Sequence, residues 1–229
     1  MKTVLLFLVF LFAGFTLISG FAYWQQRQQN ETIVLRPQIT TNFSMSNAPS
    51  ESLKGNIASM SGTVRWLSRT ATEPIKLLSP RVIQQGEALE TEKNAKATVI
   101  IQNAEAITLS PNSYVNFIQL LPLNLVLEQN SGDIFYQNTG QSAMSIHTLD
   151  LLTAVNRGSA RIAMDKNTKT VTVTVEKGLI TEGYEDSTNM STVVTVNAGQ
   201  RYVFDDATRT GMIEQLPGYV SNNSSFLNR

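Results

Sequence analysis

The chain has 229 residues, with 18 Lys and Arg against 18 Asp and Glu, a single His and no Cys. A net charge of zero without a basic block excludes the positive surface that nucleic-acid binding requires, so we expect no nucleic-acid partner. The absence of Cys excludes disulfides, thiolate catalysis and thiolate metal sites.

An uncharged apolar run opens the chain, from Val4 to Trp24. Its length of about 20 residues matches the roughly 30 Å of hydrocarbon that a transmembrane helix crosses. Tyr23 and Trp24 suit the membrane interface, and Lys2 favours an amino terminus that stays in the cytoplasm. Residues 1–24 are therefore predicted to form a single-pass transmembrane helix, with the rest of the protein outside the cytoplasm.

A cleaved signal peptide is the alternative interpretation of the same run. Gly20 and Ala22 are small residues at the two positions that a signal peptidase inspects. The run is longer than the usual signal core of roughly 7–15 residues, which favours the anchor. Both interpretations export the domain that follows.

The polar segments on either side of the central part of the chain set the predicted domain boundaries. Residues 25–58 contain scattered apolar residues without a sustained period, which predicts a polar stalk. Residues 208–229 are similarly polar and are predicted to be a tail. The folded domain is then expected to span residues 59–207.

Within that domain the hydrophobic pattern has a period of two. Thr170–Val175 alternates Thr and Val without interruption, as a half-buried strand does. Outside the first 24 residues no stretch has a helical period. The sequence predicts an all-β fold of short antiparallel strands and hairpins, arranged as a sandwich or an irregular solenoid. Weaker runs of the same kind are residues 62–67, 97–101, 114–118, 123–127 and 192–196.

Three segments pass from an apolar strand through a polar turn ending in Gly into a second strand. They cover residues 125–134, 171–180 and 194–202, and their glycines are Gly132, Gly178 and Gly199. We interpret each segment as a hairpin in which Gly supplies the positive φ of a bulged turn. Their irregular spacing argues against a solenoid with one fixed coil length.

A series of short motifs follows one another over residues 60–205. The steps are Ser61–Val64; Val82–Thr91, similar to G-D-x-(I/L)-x-T; Ala95–Ile101 with Ile107–Val115, similar to A-x-(I/V)-x-(L/F) and I-x-L-x-P-x-S-x-V; Leu125–Ile134; Thr153–Ile162; Val173–Leu179; and Val196–Gln200, which contains V-x-A-G-Q. Their order resembles the FecR domain, a family named after the iron-dicitrate sensor. One departure is Gly158–Arg161, where the family has G-T-x-F.

The resemblance implies an exported β domain that takes part in sensing. Sensor members of this family use a cytoplasmic segment before the membrane helix to control a sigma factor. Only Met1–Thr3 precede the apolar run here. Because even a weak protein interface needs several hundred Å² on each side, we expect no sigma-factor contact by that route.

Candidate catalytic and metal-binding groups are few. His147 and Asp150 could belong to a Ser-His-Asp triad, but there is no Gly-x-Ser-x-Gly elbow, and residues i and i+3 of a strand face opposite sides. Asp205 and Asp206 could bind Ca²⁺, but adjacent acids at a strand end more often form a solvated turn. Ser44 lacks the motif of a serine–lysine peptidase. We predict no catalytic residue, metal or cofactor, and a protein that is not an enzyme.

Two functions remain. The first is a membrane-anchored FecR-like module of the bacterial cell envelope, which binds an envelope protein by strand addition or through its loops. The second is a module that binds glycan or cell wall through stacked aromatic side chains. Aromatic residues in strands are more often part of a core, so we favour the first. The aromatic candidates are Trp66, Tyr114, Phe117, Tyr136 and Tyr202.

Overall fold

The computed structural model describes residues 51–102 and 104–217, and all of them belong to one compact unit of the chain. Every regular element in this part is a β-strand, so the all-β prediction is confirmed there. The strands are β1 (Gly55–Ser61), β2 (Val64–Leu67), β3 (Ile75–Lys76), β4 (Val82–Ile83), β5 (Ala88–Thr91), β6 (Lys96–Ile101), β7 (Glu105–Leu109), β8 (Tyr114–Leu121), β9 (Asn124–Asn138), β10 (Ala143–Thr148), β11 (Leu151–Asp165), β12 (Thr170–Glu185), β13 (Ser191–Asn197), β14 (Gln200–Asp205) and β15 (Thr210–Gln215).

The predicted transmembrane helix of residues 1–24 lies outside the described residues, as does most of the predicted stalk. Within residues 51–102 and 104–217, no helix has the length and apolar character needed to cross a membrane.

Strand pairing divides the sheet into two layers that share β9, β11 and β12. The first layer runs β4–β1–β6–β7–β9–β11–β12–β14–β15 and uses the second half of β9 and β11 and the first half of β12. The second layer runs β3–β2–β5–β8–β9–β10–β11–β12–β13 and uses the other halves. All pairs are antiparallel except β9 with β10, so the sheet is mixed rather than purely antiparallel.

The shared strands are long, and this corrects two of the predicted hairpins. Residues 125–134 and 171–180 do not turn back on themselves; they continue through Gly132 and Gly178 inside β9 and β12. Both glycines have positive φ, 84° and 77°, as expected. At each of these glycines the strand bends and passes from one layer to the other. Because they cross both layers, β9, β11 and β12 are long, with 15, 15 and 16 residues.

The third predicted hairpin, residues 194–202, is also wrong. The chain does not reverse at Ala198 and Gly199: β13 and β14 both pair antiparallel with β12, one after the other along its length, rather than with each other. Gly199 has a φ of 84°, and the turn carries the chain from the second layer to the first. A strand, a polar turn and Gly therefore mark a change of layer at all three sites.

The boundaries of the β unit differ from those expected at both ends. β1 begins at Gly55, inside the predicted stalk, because Gly55–Ile57 pair with β6. Thr210–Gln215 of the predicted tail form β15, which pairs with β14 along its whole length. Residues 218–229 lie outside the described part of the chain.

One hydrophobic core fills the space between the two layers. Alternate residues of the strands point into it, and Val171, Val173 and Val175 are buried as the Thr-Val alternation predicts. Buried side-chain hydrogen bonds also join the layers. Gln129 of the second layer donates to the carbonyl of Ile162 in the first at 3.0 Å, and Tyr136 donates to Gln129 at 3.1 Å.

Gly158 and Gly178 face each other across the β11–β12 pair, where both strands bend. Their φ values are 150° and 77°. A Cβ on Gly178 would collide with the carbonyl oxygen of Arg157, and one on Gly158 with that of Lys177. Both positions therefore require Gly, because backbone atoms cannot move aside as a flexible side chain can.

We predict that Gly178→Ala destabilises the fold by about 2–4 kcal/mol, since it combines a positive φ with a backbone clash. Gly183→Ala is the matched control on the same strand. A Cβ there meets nothing closer than the Leu152 carbonyl oxygen at 4.0 Å, so we expect stability to stay unchanged or rise slightly. Urea unfolding of the full-length variants measures both effects, and equal midpoints for the two would contradict this account of the bend.

Candidate functional site

The structure places His147 and Asp150 beside the same shallow depression on the outer face of the second layer. His147 is exposed on β10, and Asp150 is exposed in the turn that follows. Because β10 ends at Thr148, the expectation that residues i and i+3 of a strand face opposite sides does not apply to this pair. The Asp150 carboxylate forms an ion pair with Arg209 at 2.5 Å.

The side chains of Asp205 and Asp206 belong to turns. Asp205 accepts hydrogen bonds from the backbone N–H groups of Ala207 and Thr208, at 2.9 and 3.2 Å. Asp206 accepts one from the N–H of Asp150 at 3.1 Å. Within residues 51–102 and 104–217, no group of three or more His, Asp or Glu could hold a metal ion. Ser44 lies outside the described residues.

The aromatic candidates do not form a stacking platform. Phe117, Tyr136 and Tyr202 are fully buried in the core. Trp66 is half-buried, and the Arg81 guanidinium lies 3.4 Å from the centre of its ring, so that face is already covered. Tyr114, on β8, is half-buried. These positions follow the expectation that aromatic residues in strands belong mainly to the core.

The two ends of the layered sheet differ in how much unpaired backbone they present. At one end the edge strands β3 and β4 have two residues each. At the other end the edge strands β13 and β15 have seven and six residues, and among the described residues each pairs on one side only. An edge strand of that length presents a row of N–H and C=O groups that can pair with another chain.

The β13 edge, residues Ser191–Asn197, has backbone groups whose direction follows from its ladder. The backbone N–H of Asp186 donates to the carbonyl of Met190, and the backbone N–H of Ala198 donates to the carbonyl of Gly178. Because hydrogen-bonded pairs alternate along an antiparallel ladder, the even-numbered residues of β13 bond to β12. The odd-numbered residues then direct their N–H and C=O groups to the free side. The N–H of Asn197 is taken by the Gln200 side chain at 2.8 Å, which leaves those of Ser191, Val193 and Thr195.

Exposed apolar side chains surround the two long edges. On β13 the Val193 side chain is 70% exposed, and on β15 Met212 is 60% exposed. Gly183 separates Leu152 from Val193 in one row across the strands and forms the floor of the depression beside His147. Apolar surface that is rimmed by polar residues is typical of interaction sites. Further exposed members are Leu179, Met190 and Ile213.

A buried carboxyl group lies directly beneath this surface. Glu182, on β12, has no exposed surface and accepts a hydrogen bond from the Thr153 hydroxyl at 2.7 Å. Its other carboxylate oxygen makes no hydrogen bond within the described part of the chain. Burial raises the pKa of Glu182 to about 8, although the hydrogen bond from Thr153 acts in the opposite direction. Burial, Tyr184 and the Glu182 charge together raise the pKa of Tyr202.

The sequence analysis did not identify the buried polar residues of the sheet. Glu182 and Gln129 are polar residues at inward positions of apolar strands, where a period of two predicts a hydrophobic residue. Gln129 is in phase with the buried Leu125 and Leu127, but the predicted hairpin assigned it to the polar turn before Gly132. Glu182 is in phase with the buried Ile180, yet it is out of phase with Val171, Val173 and Val175, because the buried positions change from odd to even numbers where β12 passes through Gly178.

Comparison with known proteins gives a partial likeness to solved structures and no related sequence. No protein-family model matches this chain, and no curated protein sequence matches it. Two crystal structures of a proposed anti-sigma factor from Parabacteroides distasonis ATCC 8503, at 2.50 and 1.65 Å resolution, align with it at a TM-score of 0.48 and 10% identity. The alignment covers 56% of this chain and 59% of that protein. A likeness at this level carries no argument about function.

We predict that Glu182→Gln stabilises the protein at pH 7–8 and flattens its stability between about pH 4.5 and 8. The raised pKa means that the folded state keeps a proton which the unfolded state loses, so wild-type stability falls across this window by up to about 1.4 kcal/mol per pH unit. Below that window the benefit of the substitution disappears. Urea unfolding at a series of pH values measures it.

Glu185→Gln is the control, because Glu185 is exposed and lies on the same strand. We expect the stability of the Glu185→Gln variant to change with pH in the same way as the stability of wild type. If Glu182→Gln shows the same slope as wild type, the carboxyl group is not buried as described.

Proposed function

We propose that this chain is a non-enzymatic, membrane-anchored interaction and sensing module of the bacterial cell envelope, with a FecR-like β domain outside the cytoplasm. The observation that carries the proposal is the pair of long free strand edges at one end of the sheet, β13 and β15, with exposed apolar side chains beside them. The order of FecR-like motifs over residues 60–205 supports the same class.

The partner is an envelope protein that presents an extended segment to β15. The backbone N–H of Leu216 donates to the carbonyl of Gly199. By the same alternation, the even-numbered residues of β15 bond to β14, and the backbone groups of the odd-numbered residues face the free side. Met212 lies on the outer face beside Val203, and Ile213 on the inner face beside Tyr202. An added strand with apolar residues on both faces would cover both side chains.

The described residues offer less support for the glycan-binding alternative. Three of the five aromatic candidates are in the core, and Arg81 covers one face of Trp66. The glycan-binding alternative would be favoured if the protein were retained on isolated cell wall and if replacing Tyr114 abolished that retention.

We predict that Met212→Lys reduces capture of the partner by at least about fivefold, because a charge replaces an apolar contact at the centre of the added strand. The measurement is crosslinking of the full-length protein in its membrane, followed by mass spectrometry of the attached protein. Leu78→Lys is the matched control: Leu78 is 92% exposed and follows β3, at the opposite end of the second layer.

One dominant envelope protein, lost with Met212→Lys and kept with Leu78→Lys, is the expected result. Recovery of lipid and wall fragments alone would contradict a protein-binding function.

A further inference from the structure

We propose that the β13 edge pairs with the β13 edge of a second copy of this chain, as an antiparallel two-strand junction that continues the second layer across a two-fold axis. This goes beyond the proposed function, which assigns the envelope partner to β15. The occupant of β13 follows from the chemistry of its seven residues and of the groups at its two ends.

The β13 edge carries none of the features that keep edges apart. Ser191–Asn197 contains no charged residue and no Pro, and its ladder with β12 runs without a register shift. Natural sheets usually block a long free edge with Lys, Pro or a bulge, since an unblocked edge pairs with other strands. The absence of such features in β13 indicates that this edge is covered in the working protein.

The strand is self-complementary in its longest register. Centred on Val194, antiparallel pairing sets Ser191 opposite Asn197, Thr192 opposite Val196 and Val193 opposite Thr195. The free N–H and C=O groups of Val193 and Thr195 then meet those of Thr195 and Val193 in the other copy, so both pairs exchange two hydrogen bonds. The Asn197 N–H needs no partner, because Gln200 accepts it.

The side chains in this register also match. Val193 and Thr195 are both on the outer face, where their contact with each other is the β-branched pairing that strands favour. Val194, on the inner face, is half-buried against the core and would meet its own copy. No like charges face each other along the seven residues.

Charge at the two ends of β13 sets the direction of pairing. Beside Ser191 lie the acids Glu185, its partner on β12, and Asp186, in the turn. The Arg209–Asp150 pair at this end is neutral in sum.

The end at Asn197 is basic. Arg157 lies in the row Arg157–Leu179–Asn197, and Lys177 is two residues before Leu179. Glu176 offsets one of these charges and the other remains. Antiparallel pairing places the acidic end of one copy against the basic end of the other, whereas parallel pairing would place like ends together.

A junction of seven residues on each side buries less than the roughly 1,000 Å² of a stable interface, so we expect a weak, concentration-dependent dimer. The first test is analytical ultracentrifugation of the full-length protein in detergent micelles, from about 1 to 100 µM, a range that spans weak association. Wild type should shift from monomer to dimer over this range. A wild type that stays monomeric throughout would overturn the proposal.

Two double variants test the register itself. V193K/T195K and V193E/T195E each place two pairs of like charges across the junction, so we expect either protein alone to dimerise at least about tenfold more weakly. A one-to-one mixture should restore the dimer, because each Lys then faces a Glu. Both positions are exposed, and an unchanged thermal transition confirms folding. A dimer that persists in either variant alone, or a mixture that stays monomeric, would overturn the proposal.

A single Cys provides a second readout, since the chain has none of its own. Val194→Cys puts two thiols opposite each other at a non-hydrogen-bonded pair, where Cα atoms about 4.5 Å apart fall within disulfide range. In Thr195→Cys the two thiols belong to residues about 8 Å apart, too far to bond. We expect oxidation to link the first variant and not the second, and the reverse would overturn the register.

Dimerisation at β13 and partner binding at β15 should respond to different substitutions. Met212→Lys leaves β13 intact, so it should lose the envelope partner and keep the dimer. The β13 double variants should lose the dimer and keep the partner at β15. If β13 instead captures a different protein while wild type remains monomeric, the self-pairing proposal is wrong.

Discussion

The three long strands that both layers share are bent, and these bends determine how the two layers pack. β11 and β12 bend together where Gly158 faces Gly178, and only Gly fits there because a Cβ would strike the neighbouring carbonyl. Since the same strands pair in both layers, the two layers enclose a single core without a separate linker. Among the described residues, the same arrangement confines the free edges to the two extremes of the sheet, and of the four edge strands there β13 and β15 are the long ones.

The interior combines satisfied and unsatisfied polar groups in different places. Near the β9 bend, the Gln129 amide donates to the carbonyls of Gly132 and Ile162 and accepts from Tyr136, so this buried group is well paired. Glu182 has only the Thr153 hydroxyl as a partner in the described part of the chain. A buried carboxyl with one hydrogen bond costs stability as soon as it ionises. It lies under the surface formed by β12 and β13, so this carboxyl group makes the protein less stable as the pH rises from about 4.5 to 8.

Much of the fold can be predicted from the sequence, and the errors have a common cause. The alternation in residues 170–175 identifies a half-buried strand, and the runs at 97–101, 114–118 and 192–196 lie within β6, β8 and β13. The hairpins at Gly132 and Gly178 are wrong because a polar turn ending in Gly looks the same whether the strand reverses or bends. Positive φ is a local property that the sequence indicates, while the choice between reversal and bend depends on which strands are available as neighbours. The free edges follow from that choice, so the candidate surface could not be predicted residue by residue.

We expect the β13 edge to be unpaired in the single chain and available to another strand. The measurement is amide hydrogen exchange of the full-length protein, resolved to individual residues at low concentration. Exchange should be fast at Val193 and Thr195, whose N–H groups face the free side, and slow at Val194 and Val196, whose N–H groups bond to β12. Raising the concentration should then slow exchange at Val193 and Thr195, together with Ser191, and leave Val194 and Val196 unchanged. Equal protection of the amides of Val193, Val194, Thr195 and Val196 at low concentration would contradict this expectation, because it would mean that the edge is already covered within one chain.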